Sequence, residues 1–381
     1  MIPFSLEMPR AITFGPGALH KLRETVRELG TRVVLVSGSG WLRSSPWEAA
    51  IDQGLAGCEV HRYSCPAAEP SVSSVNAAAA EAEAFRPQVM VAVGGGTVID
   101  TTKALSALVR YPGSAERFLE GLPGAAAVPG PCLPWIAVPT TSGTGAEATK
   151  NAVIKSESTG VKRSMRSRHL LAHVVLVDPE LTLSLPRGVT GTSGLDAFTQ
   201  LVEAYVSRST TPPVRSLVEG AFPLMWEALN GLSQSPAELA LREMASYGAL
   251  MSGVALANAG LGAAHGFAAA VGGAFDVPHG LACAVFLPHV LEANRDAIAA
   301  DIGRLVGGSH GPEAQRDPIG WLAAEAARFL DAYGLPADLR GFGIPEARVA
   351  ELAEKSSGSS MRGNPRDLSM KERIDILARV T

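Results

Sequence analysis

The chain has 381 residues, of which 46% are hydrophobic and 18% charged, with a formal net charge of −4. That length suits two domains and that composition a sizeable packed core, while the slight negative charge excludes bulk attraction to nucleic acid or an anionic membrane. Four cysteines, Cys58, Cys65, Cys132 and Cys283, make no CxxC pair and no zinc-finger spacing, which fits a reduced, cytoplasmic protein. The N-terminus lacks the basic-then-apolar order of a signal peptide, and no apolar run is long enough to span a bilayer.

In chain order, Arg32–Ser37 reads as a buried strand, Val72–Phe85 as a helix, and Gln88–Val93, Leu133–Val138 and His173–Val177 as three further strands. Strands alternating with helices predict an α/β domain over 1–185, with a parallel sheet covered on both faces. After Pro186 the β pattern stops. Gly194–Ser207, Val214–Leu229, Pro236–Ala259 and Ile319–Tyr333 have helical composition, punctuated at Ser209–Pro213, Gly307–Pro312 and Gly341–Pro345. An all-α domain is expected over 186–381.

Two loops in the first half suit a phosphate or sugar. The strand ending at Val93 runs into Gly94, Gly95 and Gly96, and a helix opens at Thr97, which is placed to cap it or donate to phosphate. Glycines allow close backbone approach, and a helix N-terminus attracts anions. The spacing is neither GxGxxG nor a P-loop, and a tight turn needing positive φ is the bland alternative. Pro139–Thr149 follows the next strand and offers Thr140, Thr141 and Thr144 among small residues. The first strand ends in Ser37, Gly38, Ser39 and Gly40. It lacks the acid that selects NAD through the ribose 2′-OH, and Arg43 lies nearby, so the pattern points to NADP(H).

The second half holds oxygen and nitrogen donors at suggestive spacing. Asp196 and Gln200 are i and i+4 and share a helix face. His265 lies in an Ala/Gly-rich stretch with few partners for a buried imidazole, and His279 follows Pro278 at a helix break. Imidazole plus carboxylate suits a divalent transition metal, although a lone histidine is more often a hydrogen-bonded core or surface residue.

Together these segments resemble the iron-containing alcohol dehydrogenase family, in the branch of lactaldehyde reductase and propanediol dehydrogenase. The matching pieces are FGPGAL at 14–19, GGGTVIDTTKA at 94–104, PTTSGTGAEATKNAV at 139–153 and VDPELTLSLP at 177–186. GLDAFTQLVEAYVS at 194–207, HGFAAAVGGAFDVPHG at 265–280, LPHV at 287–290 and GNPR at 363–366 follow in the family's order. The resemblance implies a dehydroquinate-synthase-like architecture, NAD(P), and a divalent metal, Fe²⁺ first with Mn²⁺ or Zn²⁺ as alternatives. It implies metal ligands at Asp196, Gln200, His265 and His279, an acid near the nicotinamide at Asp100, a ribose contact at Lys162 and a pocket residue at Asn151. Phe267 and Met361 are further pocket residues or simple packing. It also implies a homodimer or larger homo-oligomer acting on a small alcohol or carbonyl compound.

Two departures stand out. The family usually carries His where this chain has Gln200, and often another where it has Ala269. An amide oxygen is a harder and weaker ligand than imidazole, which tilts the site from zinc towards iron or manganese. Ala269 removes a proton relay, leaving water, cofactor hydroxyls or another side chain. The competing readings are a maleylacetate-reductase-like, polyol-phosphate or dehydroquinate-synthase-like enzyme, and a cofactor-binding protein that has lost catalysis.

Overall fold

The computed structural model describes residues 3–66, 68–307 and 311–381, so residues 308–310 of the Gly307–Pro312 break lie outside the described residues. Two compact units form. One comprises Glu7–Thr141 and Gly145–Ser184. The other comprises Ser142–Thr144 and Leu185–Thr381, with the N-terminal segment up to Leu6.

The first unit is built on β1 (Ala11–Phe14), β2 (Arg32–Gly38), β3 (Glu59–Cys65), β4 (Val89–Gly94), β5 (Trp135–Pro139), a β6–β7 hairpin (Asn151–Ser156 and Val161–Arg166) and β8 (Val174–Val177). All but the hairpin form one six-stranded sheet in the order β1-β8-β5-β4-β2-β3, with every pairing parallel. Its helices are α1 (Leu22–Leu29), α2 (Trp41–Ser44), α3 (Glu48–Gly54), α4 (Val72–Phe85) and α5 (Gly96–Leu108). The central strands are continuous β-branched runs because both faces are covered: Val33, Leu35, Val91, Val93, Ile136 and Val138 are all buried in one cluster.

Four sheet strands are the apolar runs read from the sequence. β3 escapes that reading because it is an edge strand, and its Glu59, His61, Arg62 and Ser64 leave no apolar run. β1 has four residues at the opposite edge. The antiparallel β6–β7 hairpin is likewise polar in sequence.

The second unit is helical, with no strand among its described residues. It comprises α6 (Arg187–Val206), α7 (Pro212–Leu232), α8 (Leu239–Ala259), α9 (Ala263–Phe275), α10 (His279–Ala293) and further helices through Val380. α6 begins seven residues before the expected Gly194, through a Gly- and Thr-rich stretch of low intrinsic propensity. Packing overrides propensity there: a Cβ on Gly191 would stand 2.6 Å from the Tyr333 ring. From Gly194 to Val206 every α6 residue is buried, and Phe198 packs its ring against Phe222 and Phe329. α9 stops where Asp276 takes a left-handed φ of 52°, and Pro278 then leads into α10 at His279.

Candidate functional site

The helical unit brings together four potential ligands. One donor atom from each of Asp196, His265, His279 and Cys283 lies within 4.8 Å of the others. Three helices supply them: α6 carries Asp196, α9 carries His265, and the first turns of α10 carry His279 and Cys283. Asp196, His265 and Cys283 are buried, whereas the His279 side chain is 39% exposed and gives the cluster an opening to solvent. His265 Nε2 stands 3.2 Å from Asp196 Oδ1 and His279 Nε2 3.9 Å from the same oxygen.

The expectation that His265 lacks partners needs correction. Its Nδ1 lies 2.6 Å from Glu203 Oε2, and Glu203 also accepts the backbone N–H groups of Ala264 and His265. A carboxylate only accepts, so Nδ1 carries a proton; without a metal Nε2 is protonated as well and donates to Asp196 Oδ1, and it is the Nε2 proton that a cation would displace. This carboxylate–imidazole pairing orients histidines that bind metals. Glu203 lies at i+7 from Asp196 on the helical face that also carries Gln200, and its burial there marks it as a partner for His265.

Gln200, one turn after Asp196 on α6, has its amide engaged by two neighbours. Nε2 donates to the Thr144 carbonyl at 3.3 Å, and Ser252 Oγ donates to Oε1 at 2.9 Å. A backbone carbonyl cannot donate, so this orientation of the amide is fixed.

Burial alone would raise the Asp196 carboxyl, but the His265 hydrogen bond and the His279 charge outweigh it and hold it below its ordinary range. Burial likewise opposes protonation of His265 and His279. Cys283 and Asp196 overcome that, and both imidazoles are raised, His265 strongly. A donor set of carboxylate, two imidazoles and a thiol, with one imidazole pre-oriented, fits a divalent transition metal.

In the sheet unit, β3 lies on one side of β2 and β4 on the other, so the strand order reverses there. Ligands of open α/β sheets bind outside the carboxyl ends of strands at such a point. Gly38 ends β2 with Ser39 after it, Gly94 ends β4 with Gly95 after it, and Thr140 and Thr141 follow β5, on neighbouring strands. None of Gly94, Gly95 and Gly96 has positive φ, which removes the simple-turn reading. Close packing requires two of them: a Cβ on Gly94 would stand 2.7 Å from Val98 Cβ, and one on Gly95 3.1 Å from Thr141 Oγ1. Thr97 does not cap α5. Gly95 occupies the N-cap position, and no side chain there takes an N–H. Ser39 and Arg43 are exposed.

Asp100 is engaged inside the sheet unit. Val153 N–H donates to Oδ2 at 3.0 Å and Lys103 Nζ lies 3.4 Å from Oδ1. Burial raises this carboxyl, against the lowering effect of Lys103. Buried Lys103 also donates to Thr149 Oγ1 and to the Asn151 carbonyl, both at 2.7 Å. Asn151 Oδ1 is buried without a hydrogen-bond partner, an orphan that points to a missing donor. Lys162 pairs with Glu69 at 2.5 Å. Thr144 is placed with the helical unit, where its carbonyl binds Gln200. Phe267 is fully buried against Phe286, 5.1 Å between ring centres, and Met361 is also buried, so both pack the core. Ala269 is exposed.

A parallel α/β unit with small-residue loops after its strands, and a helical unit with a side-chain group that could hold a metal ion, suit an enzyme that uses a dinucleotide and a metal. Residues 9–179 match the family model described as iron-containing alcohol dehydrogenase, and residues 190–381 match that of the Fe-containing alcohol dehydrogenase C-terminal domain. Among known proteins, the chain is 33% identical to long-chain-alcohol dehydrogenase 1 of Geobacillus thermodenitrificans, over 89% of this chain and 87% of that protein. It is 31% identical to 1,3-propanediol dehydrogenase of Klebsiella pneumoniae, over 95% of each. A crystal structure of a 1,3-propanediol oxidoreductase superposes with a TM-score of 0.89 at 30% identity, covering 100% of both chains. The chain belongs to the iron-containing alcohol dehydrogenase family.

Proposed function

We propose that this chain interconverts small aldehydes or ketones and their alcohols, using NAD(P)(H) at the carboxyl edge of the parallel sheet and a divalent cation held by Asp196, His265 and His279. The observation that carries the reading is the convergence of these three side chains, with His265 oriented by Glu203. When bound, the cation polarises the carbonyl oxygen and the nicotinamide exchanges hydride with the carbonyl carbon. Iron is the metal favoured by the family, with manganese or zinc as alternatives.

The chain's own residues bind and orient. Gly94, Gly95, Gly96 and Thr97 open α5 towards the pyrophosphate, with Thr140 and Thr141 beside them. Lys103 and Asp100 hold the β6 strand in place, so that the orphan Asn151 Oδ1 can accept from the nicotinamide or the substrate. Lys162 is offered to the ribose once it exchanges its Glu69 partner. Gln200 positions Asp196. The 265–275 segment has no Lys or Arg, and Ala269 lies one turn after His265, which favours a small, weakly charged substrate over a sugar phosphate.

The test is oxidation of NADH and of NADPH over a panel of aldehydes and ketones, on protein reconstituted separately with Fe²⁺, Mn²⁺ and Zn²⁺. Carbonyl-dependent oxidation with at least one metal is expected. No turnover with any of the three overturns the proposal.

Two substitutions test the dinucleotide edge. Gly95→Val places a branched side chain against Thr141 where the pyrophosphate must approach the backbone. Dinucleotide affinity should fall about tenfold or more, equivalent to ~1.4 kcal/mol. Fluorescence titration of the folded variant measures it, and unchanged affinity would show that the loop binds nothing. The end of β2 carries no acid, which favours NADP(H). Ser39→Asp should repel a 2′-phosphate and accept from a 2′-OH, raising the NADH-to-NADPH ratio of kcat/KM about tenfold. A flat ratio would mean that Ser39 does not face the adenosine ribose.

A further inference from the structure

We propose that Cys283 Sγ, rather than Gln200 Oε1, is the fourth protein ligand of the cation held by Asp196, His265 and His279; this rests on reading that cluster as the cation site. Three observations carry it. Cys283 Sγ lies 3.7 Å from His279 Nε2, and its donor falls in the same 4.8 Å group as those of Asp196 and His265. His279 and Cys283 are i and i+4 on α10, so both project from one face towards α6. Flipping the Gln200 amide would lose its Nε2 donation to the Thr144 carbonyl, and in the present orientation Oε1 faces Ser252, whose one proton it shares with the Ala249 carbonyl.

A buried cysteine in an apolar helix is usually a small hydrophobe. Here it is buried against three metal-ligating groups, beyond what packing requires. Coordination would take the thiolate, and the thiol proton would leave to solvent as the metal binds. The consequence is a softer site than Gln200 would make. Thiolate and imidazole favour zinc, whereas an amide oxygen in the same place would favour manganese.

The test uses the full chain, stripped with chelator and loaded with one equivalent of Co²⁺, which reports sulfur ligation through a thiolate-to-cobalt charge-transfer band in the near ultraviolet. The band should appear in the wild type and in Gln200→Ala. It should vanish in Cys283→Ser and Cys283→Ala while cobalt stays bound, with circular dichroism confirming the fold of each. Cobalt bound at one per chain with no band in the wild type overturns the Cys283 assignment and leaves the cation site standing. A band that persists in both Cys283 variants also overturns it, since another thiol would be the source. Failure to bind cobalt at one per chain overturns the cation site itself, and the Cys283 assignment with it.

Discussion

Asp196→Ala should strip the protein of its metal and lower kcat/KM for carbonyl reduction by about 10³-fold. Asp196 is the only carboxylate in the four-residue cluster, and both imidazoles lie within 4 Å of its Oδ1. Without it, a cation faces two neutral imidazoles and a thiol with less charge to neutralise its own. The glycine loop and Thr140, proposed to bind the dinucleotide, are left untouched, since they belong to the sheet unit. Dinucleotide affinity should therefore stay within about twofold of wild type, a change under ~0.5 kcal/mol. Asp196→Asn keeps the side-chain volume and the Gln200 neighbour, so it separates loss of charge from loss of packing. Metal content after chelator dialysis and steady-state kinetics are the measurements. A variant that retains one metal per chain at undiminished turnover would show that the cation sits elsewhere.

Gly280→Ala should destabilise the helical unit by about 1–3 kcal/mol and loosen the cluster as well. Its added Cβ would overlap the Thr192 carbonyl oxygen, lie 2.9 Å from that carbonyl carbon and 3.1 Å from Asp196 Cβ. The obstacle is the backbone of α6, which cannot swing aside like a long side chain. α6 and α10 must separate, and that separation divides Asp196 from His279 and Cys283. Two readouts should move together: a lower melting temperature for the metal-free protein, and a smaller increase in it on adding metal. A wild-type melt with full metal retention would mean that the two helices are not packed this closely.

The sequence shows the sheet unit well where strands are buried on both faces, because Arg32–Ser37 and Gln88–Val93 then read as continuous apolar runs. It hides β3, whose edge position permits Glu59 and Arg62, and the β6–β7 hairpin, where Lys155, Lys162, Arg163 and Arg166 interrupt any apolar run. In the helical unit, Asp196 and His279 are legible from helix spacing and from the break at Pro278. Glu203 is not singled out, because a glutamate in an amphipathic-looking segment passes for a solvated one; only burial of the whole 194–206 stretch marks it as a partner for His265. Cys283 passes for core packing because Ala282, Ala284, Val285 and Phe286 surround it in sequence. Its significance depends on α6 and α9 meeting α10, which is tertiary and has no local signature. Gln200 shares a helix face with Asp196, which the spacing shows, while hydrogen bonds to the distant Thr144 and Ser252, which it does not show, decide which way the amide points.

If one divalent cation, held by Asp196, His265 and His279, makes this chain a carbonyl reductase, activity must follow the bound metal. Titrating metal-free protein with Fe²⁺ under anaerobic conditions, and reading NAD(P)H-dependent aldehyde reduction at each addition, tests it most directly. Turnover should rise from near zero in proportion to bound metal and level at one equivalent per chain. Turnover that is already complete in the metal-free protein, or that does not follow bound metal, would contradict it.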